Sequence, residues 1–292
     1  MSFTKRVLGP AGAAEAAGLR WLRSAEQAGG PRVVEVLEVQ PEALVLESIA
    51  TGEATQEAAR GFGAALARLH TWLWPERAGR DDAAPPRFGQ LPPGHPPSVP
   101  ALFGPAGQLL ELGAGRHSSW GAFHAAERLD PVLGQLDEQA ASLRSRSAIA
   151  SGDPEVPPVS ARLHRASSSD LEVLRAARDR IAAGDFDGSE PASLLHGDLW
   201  SGNVLWSPQG AVLIDPAAHA GHRESDLAML QLFGLPHLDT VLEPYQETAP
   251  LEPGWQDRVP VHQFFYLGVH WLLFGPAYRE ATMTAARRIL AL

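Results

Sequence analysis

The sequence predicts an α+β protein with a small, strand-containing N-terminal lobe of residues 1–50 and a larger, mainly helical lobe of residues 51–292. Three observations support this fold class. Two apolar, β-branched runs lie near the N-terminus, helical periodicity begins after residue 55, and one short polar hairpin lies near residue 200. A chain of 292 residues can bury a large core, in one large domain or in two lobes.

The first 50 residues are predicted to hold a helix and a β-hairpin. An Ala-rich stretch from Ala11 to Gln27 is typical of a helix. The runs Val33–Val39 and Ala43–Ile49 flank a Gln-Pro-Glu turn, so we expect them to pair as antiparallel strands. The polar connection that follows, up to Glu53, would be the hinge between the lobes.

The second lobe is predicted to begin with a helix from Thr55 to Trp74, because apolar residues recur there at helical spacing. Residues 75–108 contain three Pro-Pro pairs and are predicted to form a long loop, either covering a site or inserted at the surface.

Further helices are expected from Trp120 to Arg146 and from Ser169 to Ala183, the latter with a Ser169–Glu172 capping box. A hairpin over residues 204–214 follows, and the rest is mostly helical.

Composition excludes several classes of protein. The net charge of −10 argues against nucleic acid or an anionic membrane as a partner. Without cysteine, the chain can form no disulfide, zinc–thiolate site or thiol nucleophile. The longest apolar run, Phe264–Phe274, is too short to span a bilayer, and the start lacks the apolar segment of a signal peptide. We therefore expect a cytoplasmic protein, and favour a monomer.

The most informative motif places three acceptor side chains around one hairpin. Asp198 and Asn203 lie in the segment 195–203, and Asp215 follows the next predicted strand. Asp-x-x-x-x-Asn followed by a strand ending in Asp is the spacing of a kinase catalytic loop and its metal-binding Asp. Such a set could hold Mg²⁺ and phosphates while one carboxylate addresses a hydroxyl. The alternative is that these residues only stabilise turns.

Three other residues attract attention. Lys5 is the single lysine among 24 basic residues, so it is a candidate for a position where Arg would not serve; otherwise it is part of a frayed terminus. His196 is expected to hold backbone geometry rather than exchange protons. Trp200, beside Asp198, is either a platform for a sugar or a packing residue.

These motifs resemble the fructosamine kinase (ketosamine-3-kinase) family, whose relatives include aminoglycoside phosphotransferases and choline kinases of the protein-kinase-like fold. The resemblance spans about residues 3–285. It is carried by the segments His196–Asn203, Ile214–Ala217, Gly221–Met229, Leu232–Gly234, Pro250–Trp255 and Leu267–His270, with Phe62–Gly63, Leu66–His70, Trp120 and Tyr245.

The resemblance implies a role for each matched residue. Asp198 would be the catalytic base, and Asn203 and Asp215 the Mg²⁺ ligands. Lys5 would contact the phosphates of ATP, held by Glu15.

The remaining implied roles concern adenine, substrate and the loop itself. The backbone of a hinge containing Glu47 and Ile49 would bind adenine. Trp120, Trp200 and Glu224 are the substrate candidates. Asp226 resembles the residue that braces the catalytic loop, a role compatible with a helix N-cap.

The start of the chain departs from this pattern. Family members usually carry two more strands and a Gly-rich loop before the lysine strand, whereas this sequence reaches Lys5 at once. Either the true start lies upstream, or the chain is a shortened member with weak or no kinase activity.

The function expected from the resemblance is ATP- and Mg²⁺-dependent phosphorylation of a ketosamine, at the 3-hydroxyl of fructosamine or ribulosamine, in a deglycation role. The acceptor would be a small molecule or a glycated protein amine. The alternatives are a catalytically dead nucleotide- or sugar-binding pseudokinase and an aminoglycoside- or choline-type phosphotransferase.

Overall fold

The computed structural model describes residues 2–7, 9–72, 87–105, 107–149 and 166–292. They group into two compact units, Met1–Trp120 with Gly188–Trp255, and Gly121–Asp187 with Gln256–Leu292. The division at residue 50 expected from the sequence is a different partition of the chain, and it stays a prediction.

The described residues form ten strands and nine α-helices, numbered here in chain order. The strands are β1 (Ser2–Arg6), β2 (Arg32–Val33), β3 (Val36–Gln40), β4 (Ala43–Glu47), β5 (Ala101–Phe103), β6 (Leu110–Leu112), β7 (Ser193–Leu195), β8 (Val204–Ser207), β9 (Gly210–Leu213) and β10 (His219–Gly221). The helices are α1 (Ala11–Arg23), α2 (Gln56–Thr71), α3 (Trp120–Phe123), α4 (Asp130–Ile149), α5 (Ser168–Ala182), α6 (Glu224–Phe233), α7 (Leu238–Thr248), α8 (Trp255–Phe274) and α9 (Arg279–Ala291). A π-helical segment, His124–Leu129, joins α3 to α4.

The predicted N-terminal hairpin is confirmed, with one correction. Strands β1, β4 and β3 form an antiparallel sheet in that order. The first predicted strand, Val33–Val39, is divided, however: Val33, with Arg32 before it, pairs in parallel with β9, and the strand of this sheet begins only at Val36. The second strand ends at Glu47, before the predicted end at Ile49.

The sheet β2–β9–β8 positions the candidate site. Strands β8 and β9 form the predicted hairpin, with Val204 opposite Leu213. Strand β2 extends this sheet on the β9 side, and the amide of Val34 also donates to Leu213 O. The N-terminal segment and the β8–β9 hairpin therefore share one sheet within the first unit.

Helix α2 confirms the helix predicted from Thr55 to Trp74, although it ends at Thr71, and residues 73–74 lie outside the described residues. Thr55 is its N-cap, and its hydroxyl oxygen accepts a hydrogen bond from the amide of Ala58 at 3.1 Å. On the buried face, Gly63 lies so close to α7 that a Cβ there would clash with Val241 O. The absence of a side chain thus allows α2 and α7 to approach at backbone distance.

The helices predicted from Trp120 to Arg146 and from Ser169 to Ala183 are confirmed, but the capping box of the second was misplaced. Ser167 caps α5 and pairs with Asp170, whereas the sequence favoured Ser169 and Glu172. Asp170 also accepts two hydrogen bonds from Arg279, at 2.6 and 3.0 Å, which tie α5 to α9.

The prediction of a long loop over residues 75–108 is wrong in part. Residues 75–86 and 106 lie outside the described residues, but Ala101–Phe103 forms β5, which pairs with β6 in a two-stranded sheet. No described helix is both long enough and apolar enough to cross a membrane.

Candidate active site

The candidate site is built on the loop between β7 and β8. Gly197 has φ +82°, and a Cβ at this position would clash with Ala217 O. Only glycine fits that conformation and that space, so the chain turns here and presents Asp198 immediately afterwards. A 3₁₀ turn, Ser201–Asn203, then returns the chain to β8.

The structure brings the three predicted acceptor residues together. The side-chain amide of Asn203 donates to Asp198 O at 2.7 Å, to Asp198 Oδ2 at 3.1 Å and to Asp215 O at 3.4 Å. Asp215 follows β9 in the left-handed region, with φ +52°. Asn203 therefore connects the backbones of both carboxylate residues, which is more than turn chemistry within one loop requires.

The surroundings of Asp198 change its acidity. Burial raises the pKa of its carboxyl to about 7; the hydrogen bond from Asn203 opposes this, and the negative charges of Asp226 and Asp215 add to it. A carboxylate with a pKa near neutrality is suited to accept a proton from a hydroxyl and to release it afterwards.

Lys5 lies between two carboxylates. Its Nζ is 2.8 Å from Glu15 Oε2 on α1 and 3.0 Å from Asp215 Oδ1. Desolvation lowers the pKa of Lys5, but the two carboxylates outweigh it, so the pKa is raised above its ordinary value. The single lysine is thus a paired residue of β1, hydrogen-bonded in the sheet opposite Leu44.

Glycine at position 18 allows α1 to lie against the segment that follows Asp215. A Cβ on Gly18 would stand 3.2 Å from Ala218 Cβ and 3.5 Å from Pro216 Cγ. This close approach carries Glu15, on the same helix, toward Asp215. The sequence reasoning missed Gly18, although an isolated glycine inside an Ala-rich helix is a signal of close packing.

The predicted adenine-binding hinge lies at the end of β4, because Glu47 is the last residue of this strand. The carboxylate of Glu47 is bound by Arg32 at 2.6 Å and accepts the amide of Glu35 at 3.0 Å, while its own amide donates to Glu35 O. Ile49 lies in the irregular segment that follows, half-buried. Adenine binding by the backbone of this segment stays a prediction.

The three substrate candidates have different environments. Trp200 is 40% exposed, stacks edge-on against Phe233 at 6.3 Å and lies directly over Gly202. Trp120 and Glu224 are each only 2% exposed, and the Trp120 ring contacts the His222 ring. Exposure beside Asp198 favours Trp200 as a ligand platform. The burial of Trp120 favours packing, and the substrate roles of Trp120 and Glu224 stay predictions.

Two buried residues hold the loop. His196 Nε2 lies 2.8 Å from Ile214 O, and its Nδ1 accepts the amide of Asp198, so this residue shapes the backbone as expected. Asp226, in the first turn of α6, accepts the amides of His196 at 2.8 Å and Gly197 at 2.9 Å. Asp226 therefore braces the loop, and Arg223 rather than Asp226 occupies the N-cap position of α6.

Comparisons with known proteins agree with this geometry. The family model described as "Fructosamine kinase" matches residues 114–292. A solved structure named as a candidate fructosamine-3-kinase, from Thermobifida fusca, is 33% identical with a TM-score of 0.75, and the match covers 100% of this chain and 86% of that one. A choline kinase from Streptococcus pneumoniae shares the fold alone, at 14% identity and a TM-score of 0.52, over 100% of this chain and 86% of that one.

Curated relatives match over shorter stretches. "Probable ketoamine kinase" of Enterococcus faecium is 52% identical over 86 residues, 29% of this chain and 31% of that protein. "Ketosamine-3-kinase" of Mus musculus is 29% identical over 171 residues, 59% of this chain and 47% of that protein. The chain thus spans between about a third and a half of the lengths of these relatives. Because the family model covers more than half of the chain, this protein belongs to the fructosamine kinase family, with a protein-kinase-like fold.

Proposed function

We propose that the protein is an ATP-dependent kinase that phosphorylates a hydroxyl of a ketosamine. One observation carries this proposal: the side-chain amide of Asn203 donates to both Asp198 and Asp215. In the same site, Lys5 Nζ lies 3.0 Å from Asp215 Oδ1. The proposal extends to the finer expectations from the sequence, namely the 3-hydroxyl of fructosamine or ribulosamine and a role in deglycation.

The donor set fits Mg²⁺ and nucleotide phosphates. Asp215 offers a carboxylate that is 41% exposed, and Asn203 offers an amide oxygen, both of which are hard ligands that suit this ion. Mg²⁺–ATP, when bound, supplies the phosphoryl group and neutralises its charge. Asp215 and Asn203 would hold the ion, and the ammonium of Lys5 would move from Asp215 toward the phosphates.

Asp198 would orient the attacking hydroxyl and accept its proton. Its elevated pKa, about 7, matches a base that works near neutral pH. Asn203 and the Gly197 turn hold its backbone in place, so that the carboxylate is positioned before the substrate binds.

Trp200 would orient the sugar. Its indole is backed by Phe233 and by Gly202, so the exposed side forms a fixed apolar surface beside Asp198. Such a surface suits the C–H face of a sugar ring or chain.

The test is direct assay of phosphate transfer by the full chain. Purified protein would be incubated with Mg²⁺–ATP and a fructosyl- or ribulosyl-lysine, with a 3-deoxy analogue and an aminoglycoside as parallel acceptors. We expect transfer to the two ketosamines only. The Asp198→Ala variant should lose turnover by about 10²- to 10⁴-fold and still bind nucleotide.

Other results would contradict the proposal in distinct ways. Transfer to the 3-deoxy analogue would overturn the assignment of the 3-hydroxyl, and transfer to the aminoglycoside alone would favour an antibiotic-type phosphotransferase. Nucleotide binding without transfer to any acceptor would identify a binding module.

A further inference from the structure

The carboxylate of Asp226 holds the loop between β7 and β8 that carries Asp198, which is called the catalytic loop below. Its Oδ2 accepts the amide of His196 at 2.8 Å, and its Oδ1 accepts the amide of Gly197 at 2.9 Å. These two amides immediately precede Asp198. The orientation of the Asp226 side chain therefore sets the direction in which the loop leaves β7.

A third contact fixes that orientation. His70, near the end of α2, places its Nε2 3.2 Å from Asp226 Oδ2, and both side chains are 0% exposed. A carboxylate that already accepts two amides is an acceptor here as well, so Nε2 of His70 carries the proton that is donated. In a buried site this hydrogen bond replaces one from water, and its loss would leave a carboxylate lone pair unpaired.

Tyr245 in turn fixes the tautomer of His70. The Tyr245 hydroxyl lies 2.8 Å from His70 Nδ1 and is buried with it. With the ring proton on Nε2, Nδ1 is the acceptor and the hydroxyl donates. Without that donor, the ring could rotate or carry its proton on the other nitrogen.

The far end of this series is anchored as well. The Arg223 guanidinium lies 6.0 Å from the Tyr245 ring and pairs closely with Glu190. The close approach of α2 and α7 at Gly63 fixes the distance between His70 and Tyr245. The series runs from Tyr245 on α7 through His70 on α2 and Asp226 on α6 to the loop, over sequence separations of 175, 156 and 30 residues.

We propose that His70 and Tyr245 are positioning residues for the catalytic loop: Tyr245 fixes the His70 tautomer, His70 orients Asp226, and Asp226 holds the two amides that precede Asp198. The inference about activity rests on the proposed kinase function. Neither residue touches the reacting atoms, so both act through the geometry of the loop.

The experiment compares three variants with a matched control in the full chain. Tyr245→Phe removes one hydroxyl, His70→Ala removes both hydrogen bonds, and His70→Gln keeps a donor that reaches Asp226. Thr282→Val is the control, because Thr282 is also buried and its hydroxyl donates one hydrogen bond, to Tyr278 O, within the second unit. For each protein, kcat, the KM values for ATP and ketosamine, the melting temperature and amide hydrogen exchange over residues 194–204 are measured.

We expect kcat to fall about five- to tenfold in Tyr245→Phe and further in His70→Ala, and to recover in part in His70→Gln. In all three variants, KM for ATP should stay within about twofold of the wild-type value. The amides of His196 and Gly197 should exchange faster in the first two variants but not in Thr282→Val. Lower melting temperatures with unchanged kcat and unchanged exchange at these amides would overturn the inference, because only a packing role would remain.

The two proposals fail separately. Absence of phosphate transfer in the wild type would refute the proposed function, and amide exchange would still decide whether His70 and Tyr245 hold the loop. Normal transfer in the wild type with equal loop exchange in all variants would refute the positioning roles alone.

Discussion

The two sides of the candidate site are held by different kinds of interaction. On the loop side, Asp226 and His70 are fully buried, and directional hydrogen bonds fix the backbone before Asp198. On the lysine side, Lys5, Glu15 and Asp215 form ion pairs, and their side chains are 24%, 16% and 41% exposed.

This difference separates a preorganised part from an adjustable one. Buried hydrogen bonds restrict the loop to one arrangement. This suits Asp198 in its proposed role, because a base must be in place before the reaction. Partly solvated ion pairs are weak and can exchange partners, which suits Lys5 and Asp215 if they must part to admit phosphates and a metal ion. The buried side should therefore control folding stability, and the exposed side should control ligand binding.

The largest expected contrast is between Asp226→Ala and Asp215→Ala. Removing Asp226 leaves two buried amides and His70 without their acceptor, so the free energy of unfolding should fall by about 3 kcal/mol. Removing Asp215 costs one partly exposed ion pair, worth about 1 kcal/mol or less. Conversely, Mg²⁺–ATP should raise the melting temperature of the wild type and of Asp226→Ala, but scarcely that of Asp215→Ala.

The pH dependence of stability sharpens the same contrast. Burial raises the pKa of Asp226, but the hydrogen bonds that its carboxylate accepts from His70 and from the Gly197 amide, with the electrostatic effect of the two neighbouring imidazoles, outweigh it, so its pKa lies below the ordinary value. Its contribution to stability is therefore present above about pH 4, the unfolded value, and is lost as the pH falls through the folded pKa. Chemical denaturation from pH 3 to 7 would show this acid-dependent loss in the wild type. Equal losses of stability in Asp226→Ala and Asp215→Ala at pH 7 would remove the distinction between the loop side and the lysine side.

The sequence predicted the part of the site that is local in the chain. Asp198, Asn203 and Asp215 lie within one loop and hairpin, so their spacing alone indicates that their side chains can meet. The contact between His70 and Asp226 had no such signature. His70 reaches Asp226 across 156 residues, and nothing in the periodicity of α2 distinguishes a histidine that faces a carboxylate from one in an apolar core.

The errors in the fold predictions arise where the local sequence does not decide between alternatives. Ser167, Ser168 and Ser169 are all good N-caps, and only the packed helix shows that Ser167 pairs with Asp170. Similarly, Val33 begins the apolar run that predicted one strand, but Val33 and the preceding Arg32 pair with β9, about 180 residues later in the chain. Short strands that pair over such separations are determined by the packed structure rather than by their own sequence.

A smaller effect is expected from Lys5→Arg, which keeps the charge on the lysine side. A planar guanidinium cannot place one donor between Glu15 and Asp215 as a compact ammonium does, so we expect KM for ATP to rise about tenfold with little change in stability. Steady-state kinetics with varied ATP measure this. Arg6→Lys, at the exposed neighbouring position, is the control and should behave as the wild type. An unchanged KM in Lys5→Arg would show that this position needs only a positive charge.

The smallest expected effect concerns the helix that carries Glu15. Gly18→Ala adds a Cβ 3.2 Å from Ala218 Cβ, so α1 must shift by a few tenths of an ångström, and Glu15 shifts with it. Gly61→Ala in α2 is the control, because its Cβ would meet nothing within 4 Å and should only add helix propensity, about 1 kcal/mol. We expect Gly18→Ala to gain less stability than Gly61→Ala and to raise KM for ATP about twofold, measured by thermal unfolding and kinetics. If both variants gain the same stability and keep the wild-type KM, the lysine side tolerates movement of α1, and its ion pairs are more adjustable than the close approach at Gly18 implies.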